Sequence, residues 1–239
     1  MTVLRDALET LRPPADDRHG PLVPLLVALT FLTGVVDAAS YLKLGHVFVA
    51  NMTGNVVFLG FALAGAGGLS ATSSLIALAS FLLGARLGAR LIRRSPEHRG
   101  HILRAASSVQ ALLIGLAFVL ALSATEPLAH GIRYGVTALL ALAMGAQNAS
   151  AQSLAVPELT TTVLTRTLTG IGMTAAAADS NLGRRIVAVA AMLLGALAGG
   201  LLALEVSVAA GLAAAAAIAL GVALGVHVSS RSDAAWARV

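Results

Sequence analysis

Asp37 is the only acid set deep inside a strongly apolar run, "LTGVVDAASYL" (32–42). An acid in such a place can take up a proton, bind a cation, or accept hydrogen bonds from backbone that has left its helix. Shortly after it comes "VFVANMTGNVVF" (47–58), where Asn51, Thr53, Gly54 and Asn55 interrupt two hydrophobic runs. Asn and Thr side chains satisfy backbone groups freed where a helix starts or stops, and Gly tolerates left-handed or close-approach backbone. A helix beginning there would also turn its partly positive N-terminus toward a ligand. A second polar set lies further on. "GAQNASA" (145–151) carries Gln147 and Asn148, and "TTTVLTRTLTG" (160–170) carries Thr161, Thr162, Thr165 and Arg166. Hydroxyls and one guanidinium of this kind can line a path for a small polar or ionic solute. Arg166 can recognise an anion, pair with Asp37, or snorkel to an interface.

The elements that must hold these residues are membrane spans. Of 239 residues, 57% are hydrophobic and 11% charged, with a mean hydropathy of +0.87. Soluble domains carry roughly 25% charged residues. Apolar segments recur at about 21–44, 47–66, 72–92, 103–123, 131–153, 159–175, 185–204 and 207–228, which defines an all-α integral membrane protein. The first twenty residues, sparse in apolar residues and mixed with acids, are not expected to form a signal peptide. Val3, Leu4, Ala7, Leu8 and Leu11 share one helical face there, which fits a short interfacial helix or a solvated tail.

A shift of 111 residues lays "GVVDAAS" (34–40) on "GAQNASA" (145–151) and "FLLGARLG" (81–88) on "MLLGALAG" (192–199). Asp37 meets Asn148. Gly34, Gly84 and Gly88 meet Gly145, Gly195 and Gly199. With one inserted residue, "ANMTGN" (50–55) meets "TVLTRT" (162–167), and Thr53 meets Thr165. Two separated blocks at one offset indicate an internal repeat. The units are residues 21–123 and 131–228, flanked by tails 1–20 and 229–239.

The basic residues then orient the two copies. Arg86, Arg90, Arg93 and Arg94 end the first copy's third segment, whereas Arg184 and Arg185 begin its counterpart. Basic loops face the cytoplasm, so the copies run in opposite directions. That requires an odd number of crossings per copy, and the two polar segments, 47–66 and 159–175, are the ones to remove. An Arg at mid-span costs roughly 2.5–3.5 kcal/mol, which further disfavours the second as a lipid-facing span. The expectation is about six transmembrane helices plus two re-entrant or broken helices in a 3+3 inverted repeat, with both termini cytoplasmic. Seven or eight full spans is the alternative. Such a design recurs in transporters and channels.

Other chemistries find no support. The chain has no Cys, which excludes disulfides and thiolate sites. Its six His are scattered, with no metal-ligand spacing, no catalytic triad pattern and no nucleotide-binding motif. No cofactor is expected, and the Arg excess lacks the aromatic platforms of a nucleic-acid binder. The expected partners are the lipid bilayer, an unidentified small-molecule or ion substrate, and a second copy through the Gly-rich helix faces.

"GVVDAASYLKLGHVFVANMTGNVVFLG" together with "GAQNASAQSLAVPELTTTVLTRTLTG" resembles the YoaK-type family of bacterial multi-pass membrane proteins, across about residues 22–228. The resemblance implies a protein of the bacterial plasma membrane. It brings no substrate or mechanism, because that family is classed as a domain of unknown function. Its second element has a small residue such as Gly after "VLT", where this chain has Arg166. A role for Arg166 as a substrate ligand common to the family is thereby weakened. The sequence reading is a secondary transporter or channel for a small polar or ionic solute, with Asp37 as the group that would couple it to protons. The alternative is a non-transporting sensor, scaffold or intramembrane enzyme.

Overall fold

The computed structural model describes residues 2–14, 17–94, 98–161, 164–173, 181–229 and 236. They form α1 (Thr2–Leu11), α2 (Leu22–Lys43), α3 (Met52–Leu63), α4 (Ala71–Arg94), α5 (Arg99–Leu122), α6 (His130–Leu154), α7 (Leu164–Met173), α8 (Leu182–Leu201) and α9 (Val208–Ser229). A π-helical turn at Leu202–Val206 extends α8. No strand occurs among the described residues.

Among the described residues, five helices are long and apolar enough to cross a membrane: α2, α4, α5, α8 with its π-helical extension, and α9. α6 has 25 residues but is more polar, carrying Gln147, Asn148, Ser150 and Gln152 in its C-terminal half. Of these, Gln147 and Ser150 are buried, Asn148 is half-buried and Gln152 is exposed. α3 has 12 residues and α7 has 10. At 1.5 Å per residue these are about 18 and 15 Å long, short of the ~30 Å hydrocarbon core.

The helices pack across the two halves of the sequence. α2 lies on α8 and α9, α4 lies on α6, and α5 lies on both α6 and α9. Glycines set the closest approaches. A Cβ on Gly84 would overlap the Leu142 carbonyl oxygen, and one on Gly195 would overlap that of Phe31. Likewise Gly145 abuts the Phe81 carbonyl while Gly34 abuts that of Met192. Gly88 and Gly199 sit against Ala146 and Val35. Small residues let helix backbones meet where lipid supplies no hydrophobic drive to associate. These glycine faces are therefore occupied within the chain.

Both chain ends gather at one end of the bundle. The Asp6 carboxylate accepts the Gly183 N–H (2.7 Å), so α1 caps the start of α8. α1 leaves Leu4, Leu8 and Leu11 exposed on one side. The Arg99 guanidinium donates to the Leu154 carbonyl (2.6 Å), contacts His19 Nδ1 (2.9 Å) and reaches the Arg18 carbonyl (3.5 Å). Arg104 contacts His227 (3.1 Å), and Trp236 covers Gly20. Elsewhere Glu126 caps the start of α9 through the Val208 N–H (2.7 Å) and pairs with Lys43 (3.5 Å).

Candidate functional site

After each of α2 and α6 the chain turns back along the helix it has just left. The first turn uses Gly45 (φ 96°) and His46 (φ 56°). The Asp37 carboxylate, six residues before the end of α2, then accepts the N–H groups of Val49 (2.9 Å) and Ala50 (2.8 Å) through one oxygen. Six helical residues span about 9 Å, which is the depth to which the return segment reaches. Asn55 fastens the same segment from the other side. Its Oδ1 accepts the Phe48 N–H (2.9 Å) and its Nδ2 donates to the Phe48 carbonyl (2.6 Å). Phe48 stacks between Tyr41 and Phe58 (centroids 5.1 and 5.7 Å). The strand-like stretch is thus satisfied by side chains on both flanks, as buried backbone without a ladder must be.

The second return is pinned by a different chemistry. Ala155 (φ 49°), Glu158 (φ 66°) and Thr161 (φ 62°) are all left-handed. Each such residue without the freedom of glycine costs about 1–3 kcal/mol, so the surrounding structure must over-determine them. Gln147 supplies part of that. Its Nε2 donates to Thr161 Oγ1 (2.9 Å) and to Thr33 Oγ1 (3.0 Å), and its Oε1 accepts from Gln110 Nε2. Arg185 of α8 supplies more, pairing with Glu158 (3.1 Å) and donating to the Gly170 carbonyl (2.9 Å).

Between the two short helices lies a cavity of about 530 Å³. Asn51, Thr53 and Gly54 line it from α3, Leu164 and Thr165 from α7, and Asn148 from α6. Asn51 is the N-cap of α3 and accepts the Gly54 N–H (3.3 Å). Phe81 of α4 and Met192 of α8 complete its walls. Among the described residues, no ionisable side chain lines it. The first turns of α3 and α7 both border this space, so the positive ends of their helix dipoles add a positive potential to its rim.

The sequence-derived candidates therefore separate into three sets. Asn51, Thr53, Gly54, Asn148 and Thr165 come together around the cavity. Asp37, Asn55, Gln147 and Thr161 are buried behind it, holding backbone or one another. Arg166 borders a separate cavity and makes no ion pair among the described residues, so it is not a partner of Asp37. Thr162 lies outside the described residues. Phe81 and Met192 escaped sequence reasoning, although the 111-residue offset makes them counterparts and would have flagged them as a pair.

Long apolar helices enclosing buried polar networks define a polytopic α-helical membrane protein. The chain belongs to the family described as Protein of unknown function (DUF1275), which it matches over residues 25–225. It is similar to the UPF0700 transmembrane protein YoaK of Bacillus subtilis (strain 168), with 32% identity over 149 residues. That match covers 62% of this chain and 64% of the relative's length. No solved structure matches it.

Proposed function

We propose that this protein is a secondary transporter or channel for a small polar or ionic solute, with its site in the cavity between α3 and α7. The observation that carries this reading is the pairing of counterparts around one space. Thr53 and Thr165, and likewise Phe81 and Met192, line the same cavity from opposite copies. A site on the axis between two repeats is where such transporters bind their solute.

The accompanying architecture is a 3+3 inverted repeat of residues 21–123 and 131–228, with α3 and α7 re-entrant and both termini cytoplasmic in a bacterial plasma membrane. Reciprocal glycine contacts support it: Gly84 on Leu142 is repeated by Gly195 on Phe31, at the same offset. Exchange of equivalent contacts is the mark of a two-fold relation. The gathering of α1, Arg99, Gly183 and His227 at one end supports an even number of crossings. Asp37 anchors the first return segment and is the acid through which protons would couple to solute movement.

Proteoliposome flux with a panel of small neutral and anionic solutes tests the reading. Thr53→Val and Thr165→Val should each lower flux at least about tenfold, the effect of losing one charged or strongly aligned hydrogen bond. Absence of flux for the whole panel would favour a non-transporting sensor, scaffold or enzyme. For the topology, Glu97→Cys and Ser180→Cys should label from the same side of the membrane. Labelling from opposite sides would overturn the inverted repeat.

A further inference from the structure

A second cavity, of about 650 Å³, lies on another side of α7. Gln152, Glu158, Thr160, Arg166 and Thr167 are its polar lining. Thr165 faces the central cavity while Arg166 and Thr167 border this one, so the first turn of α7 stands between the two spaces.

The charges in and around the second cavity do not cancel. Glu158 is already matched by Arg185 at 3.1 Å. Arg166 has no acidic partner among the described residues. Arg99 adds a further positive charge, donating to Leu154 next to the lining residue Ala155. Among the described residues the lining is therefore net positive, and amide and hydroxyl groups stand beside the Arg166 guanidinium. A guanidinium offers a planar fork that fits the two oxygens of a carboxylate or phosphate. The left-handed residues Ala155 and Glu158 fix the rim against which such an anion would sit.

We propose that this second cavity is an oxyanion site in which Arg166 holds a small carboxylate or phosphate group. Taken with the transport reading, on which this last step rests, the anion is the solute or shares its path, and the first turn of α7 is the partition it must pass. Occupancy of the site itself does not depend on transport.

Acetate is the probe, with saturation-transfer NMR on the full chain in nanodiscs of zwitterionic lipid as the readout. Wild type should show saturable transfer to acetate. Arg166→Gln should weaken binding by at least about tenfold, as expected when a charged hydrogen-bond partner is lost. Arg166→Lys should restore part of it, and Arg104→Gln, at the His227 contact, should leave it unchanged. Gel filtration of each variant establishes that it remains folded. Equal acetate binding by wild type and Arg166→Gln, or none by wild type, would overturn the site. Adding phosphatidylglycerol to the nanodiscs separates the sources of oxyanion. Unaltered acetate binding supports a free anion, whereas displacement leaves the Arg166 site standing and overturns its place on the solute path. Intact acetate binding without proteoliposome flux would refute transport alone.

Discussion

Removing the Asp37 carboxylate isolates the work it does for the return segment. In Asp37→Ala the N–H groups of Val49 and Ala50 lose their acceptor. Both residues are buried, at 0% and 4% exposure, so water cannot replace it in place. Each buried donor left unmatched costs about 1–3 kcal/mol, which puts the loss at about 2–6 kcal/mol. Asp37→Asn keeps an oxygen acceptor at the same position. It gives up charge assistance but also avoids holding a charge away from water, and its loss should stay below about 2 kcal/mol. Thermal unfolding in detergent, paired with hydrogen exchange at the amides of residues 49 and 50, reads both effects. Asp37→Ala should unfold earliest and expose those amides, with Asp37→Asn close to wild type. Equal stability and equal protection in the two variants would refute the anchoring argument.

Gly84→Val and Gly195→Val should each destabilise the protein by about 3 kcal/mol or more, because backbone carbonyls of Leu142 and Phe31 cannot yield as side chains do. Gly60→Ala on α3 meets nothing within 4 Å and should stabilise by up to about 1 kcal/mol, measured in the same thermal assay. Acid should weaken the contact around Arg99. Burial first, and then the Arg99 charge, push the His19 pKa below its ordinary value of 6.5. The folded state thus favours the neutral ring, whose Nδ1 accepts from the guanidinium at 2.9 Å. The stability this gives is present above pH 6.5 and is lost as pH falls from there through the lowered value. Unfolding temperatures between pH 7.5 and 5 should fall less in His19→Gln than in wild type.

The all-helical membrane class was legible before any coordinates, from composition and the recurring apolar runs. The offset of 111 pairs α2 with α6, α3 with α7, α4 with α8 and α5 with α9, because Gly and small-residue spacing is dictated by helix contact and survives in the sequence. The two polar interruptions were legible for the opposite reason, since Asn and Thr in an apolar run stand out. The division of labour among them was not. Asn51 lines the cavity and Asn55 locks backbone, although they are four residues apart and chemically identical. Which of them turns inward depends on where Phe48 passes, and that is set by the return segment rather than by helical period. The site of Arg166 was illegible too. Pairing it with Asp37 was reasonable on charge alone, but Asp37 is committed to amides thirteen residues on and Arg166 borders a different space.

The crossed arrangement of the halves has a consequence for synthesis. α2 leaves the ribosome long before its principal neighbour α8, which begins only at Leu182. At ~5–20 residues per second the delay is on the order of ten seconds. Through that interval α2 has neither α8 nor α9 beside it, so the face bearing Gly34 and its acid must be sheltered by lipid or by the insertion machinery. Assembly is in this sense a late event. The bundle closes only when the last two helices arrive, and a chain halted after α6 would leave α2 without α8 and α9 and α5 without α9.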